Sequence, residues 1–267
     1  MKLTYIFVLA GVFACAAAPL ACGSDPDAPA SGDAGPGLSL GDSGFLDAPP
    51  TDGNKIVVDG GFAGPEGSVI RTDRFVTTVS KFTPGDCAGY GLPQMPTVVL
   101  GPPVGAGSFS GGLDVVSLGF NGEVVLGFDT NAIVDGPGAD FIVFENAFWA
   151  GGDPTHPTAE LAEVSVSDDG ITWKTFPCTV GDAGAADYGG CAGWRPVYSA
   201  PGNNISPVDP KTAGGDPYDL ATIGVASAKF VRIRDLGTVD CPTDPSKKST
   251  TVGFDLDAIA IVNAKTP

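Results

Sequence analysis

Short apolar runs rich in Val, Ile, Phe and Thr alternate with clusters of Gly, Pro, Asn and Asp from residue 69 to the end of the chain. The runs have the length of strands and show no helical periodicity, and the clusters between them are typical of turns. The strands predicted are Val69 to Ser80, Thr97 to Leu100, Val115 to Leu118, Glu123 to Phe128, Phe141 to Phe144, Glu163 to Ser167, Thr172 to Phe176, Lys229 to Asp235 and Phe254 to Val262. A short helical turn is predicted at Asp219 to Ile223. The predicted fold class is all-β: a single antiparallel, jelly-roll-like β-sandwich with long Gly/Pro-rich loops.

Two segments predict strand pairing and position. The segment Ser167 to Gly170 separates two predicted strands and is a hairpin signal, since Gly accepts a positive φ. The last strand is apolar on both faces, which predicts a central strand. Period-two alternation in this strand places Asp255, Asp257, Ile259 and Ile261 on one face and Phe254, Leu256, Ala258 and Ala260 on the other.

The N-terminal segment has the pattern of an export signal. Lys2 and an apolar run from Leu3 to Ala18 precede Leu20-Ala21-Cys22-Gly23, where Cys22 is the predicted lipid-attachment residue. We predict a lipoprotein signal peptide over residues 1–21 and a lipid anchor in the bacterial cell envelope, at the outer membrane or cell surface. Three alternatives are open: Cys15 as the modified residue, an ordinary signal-peptidase cut near Cys15 or Ala18 that gives a secreted protein, and an uncleaved membrane anchor. Residues 22–54 read as a disordered acidic tether, and residues 55–267 as the β-sandwich domain.

The net charge of the chain limits the kinds of molecule that the protein is expected to bind. The chain has 14 Lys and Arg against 31 Asp and Glu, a net charge of −17. This balance argues against nucleic acid and against an anionic membrane surface, so the membrane is expected as a partner only through the N-terminal lipid. It is compatible with hard cations such as calcium.

The cysteines predict a disulfide framework. A cut before Cys22 leaves Cys87, Cys178, Cys191 and Cys241, an even set suited to two disulfides in an oxidising compartment. Three pairings are open from sequence. A short Gly/Ala/Asp loop between Cys178 and Cys191 favours their closure, which leaves Cys87 for Cys241.

Carboxylates at strand ends are the candidate metal ligands. Asp255 and Asp257 enter a buried strand, where they need a cation, an Arg partner or donated hydrogen bonds. A cross-strand ion-pair ladder with Arg232 and Arg234 is the alternative to a calcium site.

A second acidic segment lies at residues 135–146, where a Gly/Pro loop leads into a strand. Oxygen donors on a tight loop suit Ca²⁺, although Asp and Gly there also make turns. A structural calcium ion is therefore the expected cofactor. Its candidate ligands across both segments are Asp135, Asp140, Glu145, Asp255 and Asp257.

Several segments of the chain resemble the sequences of a family of bacterial exported and cell-surface lipoproteins. They are Leu113 to Asp129, Asp135 to Asn146, Glu160 to Gly170, Asp219 to Gly224 and Gly253 to Ile259. The resemblance implies a single β-sandwich behind a signal, often with a surface anchor. The segments Val164 to Phe176 and Ala228 to Leu236 are similar to discoidin-like, galactose-binding-type jelly rolls, which implies glycan binding through loops and a structural calcium.

Aromatic residues in Gly-rich loops are the candidate sugar-binding groups, because exposed rings stack on sugars. They are Trp149, Tyr188, Trp194, Tyr198 and Tyr218. The alternative is packing at the edge of the core, with Trp194 covering a disulfide. Trp173, in a strand pattern, is predicted to be a core residue.

No catalytic residue is predicted. His156 is the only histidine and lies alone in a Pro-rich loop, and the chain has no Gly-Xaa-Ser-Xaa-Gly elbow. The predicted function is a calcium-stabilised binding module for an extracellular glycan. The alternatives are a structural or adhesive envelope protein and a glycan hydrolase, which needs only two carboxylates.

Overall fold

The computed structural model of the protein describes residues 57–58, 61–180, 188–244, 246 and 249–267. Its strands are β1 (Val57–Val58), β2 (Gly61–Ala63), β3 (Val69–Arg71), β4 (Thr78–Thr83), β5 (Val116–Ser117), β6 (Glu123–Gly127), β7 (Ile133–Val134), β8 (Phe141–Glu145), β9 (Phe148–Trp149), β10 (Pro157–Thr158), β11 (Ala162–Ser167), β12 (Lys174–Thr175), β13 (Asp216–Tyr218), β14 (Ser227–Ala228), β15 (Phe230–Asp235) and β16 (Asp255–Ile261). Short 3₁₀ turns lie at Pro65–Gly67, Thr72–Arg74, Leu92–Gln94, Thr97–Val99, Ala150–Gly152 and Leu220–Ile223. None of the described helical turns has the length and apolar character needed to cross a membrane.

Two antiparallel sheets form a sandwich, which confirms the predicted all-β fold class. One sheet has five strands in the order β12-β11-β15-β6-β4, and the other has four in the order β13-β8-β16-β5. Apolar side chains from both sheets fill one core, among them Leu126, Val164 and Ile233 from the first and Phe141 and Ile259 from the second. The jelly-roll form of the sandwich stays a prediction.

The hairpin and the central strand are confirmed. Strands β11 and β12 pair antiparallel, with Ser165 opposite Thr175, and Gly170 in the turn has a φ of 72°. Strand β16 lies between β8 and β5, and all of its residues are buried. The helical turn is also present, where Asp219 caps Leu220–Ile223 by accepting the N–H of Ala221 at 2.9 Å.

The predicted alternation along β16 is wrong, because the strand contains a bulge. The pairing register with β8 shifts between Leu256 and Ala258, so Asp257 is an extra residue. As a result Leu256 and Ile259, three positions apart, share the sandwich core, while Ala258 belongs to a second apolar cluster. A bulge re-aims the side chains on one side of it relative to the other, which separates Asp255 from the face that holds Ile259.

Two other strand predictions are wrong in part. Residues Thr97–Val99 form a 3₁₀ turn after Pro96 instead of a strand, since a four-residue apolar run does not distinguish the two. The segment predicted from Val69 to Ser80 is interrupted at Thr72–Arg74, where the Asp73 carboxylate accepts two hydrogen bonds from the Arg71 guanidinium.

Both predicted disulfides are present. Cys178 and Cys191 are joined across a sequence separation of 13, and Cys87 and Cys241 across 154. The signal segment, Cys22 and the tether up to residue 54 lie outside the described residues, so those predictions stay predictions.

Candidate functional site

Three carboxylates from separate parts of the chain meet at one end of the two inner strands of the four-stranded sheet. Glu145 ends β8, Asp255 begins β16, and Glu160 precedes β11. An oxygen of each lies within 4.8 Å of an oxygen of the others. We call these three residues the carboxylate cluster. Glu145 and Asp255 are only 2% and 6% exposed, and Glu160 is partly buried.

The hydrogen bonds of the carboxylate cluster are unevenly distributed. Asp255 accepts from the Ser117 hydroxyl through Oδ1 and from Asn146 Nδ2 at 3.0 Å through Oδ2. Glu160 Oε1 accepts the N–H of Gly253 at 3.2 Å. Glu145 Oε1 accepts only the long Asp255 N–H contact at 3.4 Å, and Glu145 Oε2 is buried with no hydrogen-bond donor. A buried carboxylate oxygen without a donor is unfavourable unless another group compensates it.

Like charges and burial act together on the acidity of the cluster. Burial, followed by the charge of Asp255, raises the pKa of Glu145 well above its usual range. The same two causes raise the pKa of Glu160 to about 8. Burial also raises the pKa of Asp255, although its hydrogen bonds from Ser117 and Asn146 oppose the shift. The ion pairs formed among the described residues involve other acids, so none of the Arg, Lys and His side chains that the structure describes forms an ion pair with the cluster.

Asp135 and Asp140, also predicted as metal ligands, lie in a different place, beside Asp219. Asp140 is fully buried, and its Oδ1 accepts the N–H of Gly136 at 2.9 Å and Asn263 Nδ2 at 2.7 Å. Its Oδ2 accepts the N–H of Leu220 at 2.7 Å. Donated hydrogen bonds therefore stabilise this carboxylate and fix the loop around it, as in the turn-making interpretation.

Asp257, the remaining predicted metal ligand, is separated from the carboxylate cluster by its place in the bulge. Its two carboxylate oxygens face the N–H of Val104 at 2.9 and 3.2 Å. The structure thus distributes the five predicted ligands over three places. It brings Glu145 and Asp255 together with Glu160, and Asp135 and Asp140 together with Asp219; neither Glu160 nor Asp219 was predicted as a ligand.

The predicted ladder of Arg232 and Arg234 with Asp255 and Asp257 is wrong. Strand β15, which carries the two arginines, lies in the five-stranded sheet, whereas β16 lies in the four-stranded sheet. Arg234 pairs with Glu163 at 3.3 Å on the outer face of its own sheet. Two-residue spacing on two strands gives a ladder only when the strands are neighbours.

Two of the predicted sugar-stacking residues belong instead to a small core around a disulfide. Tyr188 is 5% exposed and packs with Leu161 and Cys191, with Trp194 at its edge. The Tyr188 and Trp194 ring centres are 5.8 Å apart in an edge-to-face contact, and the Arg195 guanidinium covers Trp194 at 4.5 Å. This arrangement agrees with the alternative in which Trp194 covers a disulfide.

The other loop aromatics differ in exposure. Tyr218 is buried in the sandwich core, stacked on Phe141 with ring centres 5.1 Å apart. Trp149 in β9 and Tyr198 are partly buried. Among the pockets described, no cavity groups Trp149 with Tyr198.

A groove lies on the outer face of the five-stranded sheet. The sequence did not predict it, because the candidate sugar-binding residues were expected in loops. Its volume is about 310 Å³, a size within the range of small-molecule sites. Trp173 and Phe230 are both partly exposed there, so Trp173 is not the core residue expected from its strand pattern. We call this feature the outer groove; it is lined by Ser80, Lys81, Glu123, Val125, Gly170, Trp173, Phe230 and Arg232.

Polar groups surround the two rings of the outer groove. Lys81 Nζ pairs with Glu123 Oε1 at 3.0 Å. The Arg232 guanidinium lies 4.7 Å from the Trp173 ring centre and donates from Nη2 to Ser165 Oγ at 3.2 Å. Arg232 Nε is buried with no acceptor. The outer groove therefore combines aromatic surface with hydrogen-bonding groups of both charges.

The sequence alone did not identify two residues of these sites as functional candidates, Glu160 and Trp173. Glu160 lies in a connection and has no local signal, because only the meeting of three distant segments makes it a neighbour of Glu145. Trp173 was recognised as part of a strand, but alternation alone did not show that its face is the outer one. The chain has no significant match to a protein-family model or to a curated protein. The resemblance to exported lipoproteins stays a prediction.

Proposed function

We propose that this protein is an exported, lipid-anchored binding module of the bacterial cell envelope that binds an extracellular glycan in the outer groove. The observation that carries the proposal is the concave site of about 310 Å³ in which Trp173 and Phe230 remain partly exposed beside Arg232. A concave site lined by exposed aromatic rings is what distinguishes a glycan-binding sandwich from one with flat, unspecialised faces.

The chemistry of the outer groove suits a sugar. The C–H face of a pyranose packs on an aromatic ring, and Trp173 and Phe230 offer two such rings. Ser80, Lys81 and Glu123 supply donors and acceptors for hydroxyl groups at the same site. Ligand sites of this kind are mainly apolar with a few placed polar groups.

The place of action follows from the N-terminal pattern. A lipid on Cys22 and an acidic tether would hold the sandwich at a distance from the envelope membrane. Two disulfides in the described part of the chain suit an oxidising compartment outside the cytoplasm. The partners we propose are the membrane, through the lipid alone, and the glycan.

Hydrolysis of the glycan is less well supported. A glycosidase exposes its two carboxyl groups to the sugar on either side of the scissile bond. Glu145 and Asp255 are almost fully buried, and the pocket beside the buried Asp216 has a volume of about 50 Å³, too small for a sugar ring. An envelope protein without a small ligand is the alternative that the experiment below addresses.

The test is binding of the full chain to soluble polysaccharides by affinity gel electrophoresis, with dextran, alginate and polygalacturonate as probes. We expect at least one polysaccharide to retard the protein. Trp173→Ala should weaken that binding about tenfold or more, since a central Trp in a binding site is commonly worth about 2 kcal/mol. Trp149→Ala is the matched control, because it removes an indole of the same size from β9, outside the outer groove.

Equal binding by the parent and Trp173→Ala would overturn the assignment of the outer groove. Weaker binding by Trp149→Ala alone would place the site at the loop aromatics. If the parent binds none of the probes while a broad glycan array is also negative, the structural or adhesive alternative replaces the proposal.

A further inference from the structure

Two buried carboxylate oxygens in the described part of the chain have no hydrogen-bond donor, Asp216 Oδ1 and Glu145 Oε2, and of the two only Asp216 has an ion-pair partner, Arg195 at 3.8 Å. The carboxylate cluster holds three acids, and Glu145 Oε2 in it is buried with no hydrogen-bond donor. By contrast, the fully buried Asp140 accepts a hydrogen bond at both of its oxygens. Glu145 in the cluster therefore lacks the donors that Asp140 has, and no ion pair of the described residues compensates it.

We propose that Glu145, Glu160 and Asp255 bind one divalent metal ion of the Ca²⁺ class where the inner strand β8 ends and the inner strand β16 begins. Each residue comes from a different segment, so the ion would connect β8, β16 and the connection that leads into β11. This site is separate from the outer groove, and it has a different ligand set from the one the sequence predicts.

The spacing of the oxygens fits a calcium ion. Ca²⁺ binds oxygen at about 2.3 to 2.6 Å, so two oxygens on opposite sides of the ion are about 4.6 to 5.2 Å apart. The three carboxylate oxygens lie within 4.8 Å of one another, so all three can contact one ion. Water or backbone oxygens complete the six to eight ligands that Ca²⁺ takes.

The donor set points to a hard cation. All three ligands are carboxylate oxygens, which suit Ca²⁺ and not soft metals. Zinc sites use mainly Cys and His. Cys87, Cys178, Cys191 and Cys241 are held in disulfides, and His156 has an exposed side chain that pairs with Asp153.

The existing hydrogen bonds position Asp255 and leave lone pairs of its oxygens available for the ion. Ser117 and Asn146 each donate to one oxygen of Asp255 and fix the orientation of its carboxylate. A carboxylate oxygen has two lone pairs, so each oxygen of Asp255 retains one for a metal. Outer-shell donors of this type are common around metal ligands.

The test is isothermal titration of the chelator-treated full chain with CaCl₂ at pH 7.5, paired with thermal unfolding. We expect one bound ion and a rise in Tm of about 5 to 10 °C at a hundredfold excess over the Kd. Glu145→Gln and Asp255→Asn should each lower the affinity at least about tenfold. Without Ca²⁺ the Tm of Glu145→Gln should equal or exceed that of the parent, because a buried amide has no charged form whose desolvation is unfavourable.

Glu160→Gln is the second variant, since this partly buried residue tolerates substitution better than Glu145. Asp135→Asn is the matched control: it removes an acid from the loop beside Asp140 and should leave Ca²⁺ binding unchanged. The proposal is overturned if the parent binds no Ca²⁺, or if Glu145→Gln and Glu160→Gln bind it like the parent. Trp173→Ala should retain the full Ca²⁺ response, so failure of this site and failure of the outer groove are distinguishable.

Discussion

The backbone N–H of Asp255 points at Oε1 of Glu145, with 3.4 Å between the two atoms. Two buried acidic side chains, Glu145 and Asp255, are therefore neighbours where β16 begins. The β16 backbone gives Glu145 only this one weak hydrogen bond. The stability of the metal-free sandwich should accordingly depend on whether these acids hold protons.

The first prediction concerns pH in the absence of metal. The folded protein raises the pKa of Glu160 from its ordinary value of 4.5 to about 8 and that of Glu145 well above its usual range. Between pH 4.5 and 8 the folded state thus binds more protons than the unfolded state, so the free energy of unfolding falls as the pH rises. This contribution to stability is fully present below pH 4.5 and is lost as the pH passes about 8.

Urea unfolding in a chelator at pH 5, 6.5 and 8 measures the effect. The free energy of unfolding of the parent should decrease across the series, and Glu160→Gln should show a smaller decrease because one titrating group is gone. Saturating Ca²⁺ should also reduce the dependence. A parent whose stability increases from pH 5 to pH 8 would contradict the prediction.

The second prediction concerns Asp140. Replacing Asp140 by Ala removes the acceptor of the buried Leu220 N–H and of two partly buried donors, the Gly136 N–H and the Asn263 amide, which keeps a bond to the Ala139 carbonyl at 3.2 Å. Each unsatisfied buried donor costs about 1 to 3 kcal/mol, so we expect Asp140→Ala to lose about 3 to 5 kcal/mol of unfolding free energy.

Denaturant unfolding measures this loss, with Asp135→Ala as the control in the same loop. Asp135 is exposed, and its replacement should change stability by less than about 0.5 kcal/mol. Similar effects of the two substitutions would show that the hydrogen bonds of Asp140 do not stabilise the loop.

The third prediction concerns the outer face of β15. Arg232→Met keeps an unbranched apolar side chain comparable to the methylene stem of Arg but removes the guanidinium that covers Trp173 at 4.7 Å. We expect a loss of about 1 kcal/mol in unfolding free energy, from the cation–π contact and the hydrogen bond to Ser165. Arg234→Met is the control, since its exposed ion pair with Glu163 should contribute less than about 0.5 kcal/mol. A larger effect at Arg234 would argue against the role given to Arg232.

The fourth prediction concerns Gly193. This residue has a φ of 95°, and a Cβ there would lie 2.1 Å from the carbonyl oxygen of Glu160. Gly193→Ala should therefore destabilise the protein by about 3 kcal/mol or more, through strain and a backbone clash. Gly138→Ala is the control: its φ is 78°, but no atom lies within 4 Å of the added methyl, so about 1 kcal/mol is expected. Thermal unfolding of both variants separates clash from strain, and equal losses would refute the clash.

The fifth prediction concerns the disulfide beneath Trp194. Replacing Cys178 and Cys191 together by Ser should lower the unfolding free energy by about 2 to 3 kcal/mol, the loop-closure contribution for a loop of this length. Trp194 and Tyr188 pack around this bridge, so their fluorescence should change at the same time. A double variant as stable as the parent would mean that packing alone closes the loop.

The extent of sequence-based prediction differs between the fold and the site. Strands β6, β8, β11, β15 and β16 follow from runs of β-branched and aromatic residues, because such runs fit a buried pleated surface. Two-residue strands such as β7 and β14 carry no alternation and were missed. The bulge at Asp257 is also not predictable from the sequence of β16, because a residue is extra only relative to the pairing with the neighbouring strand β8.

The site depends on contacts between distant segments, and a single sequence does not show them. Glu145 and Asp255 were recognised as acids at strand ends, but the register of β8 against β16 decides that they meet. The location of Arg232 shows the same limit. Its spacing suggested a ladder with Asp255, whereas the order of strands in the sheets places it beside Trp173.

The long disulfide has a consequence for survival in a medium that contains proteases. Cys87 and Cys241 join points that are 154 residues apart in sequence. If a protease cuts one peptide bond anywhere between them, the two fragments stay covalently linked and the sandwich keeps all of its strands. A single cut would leave the protein as one band on a non-reducing gel and as two on a reducing gel.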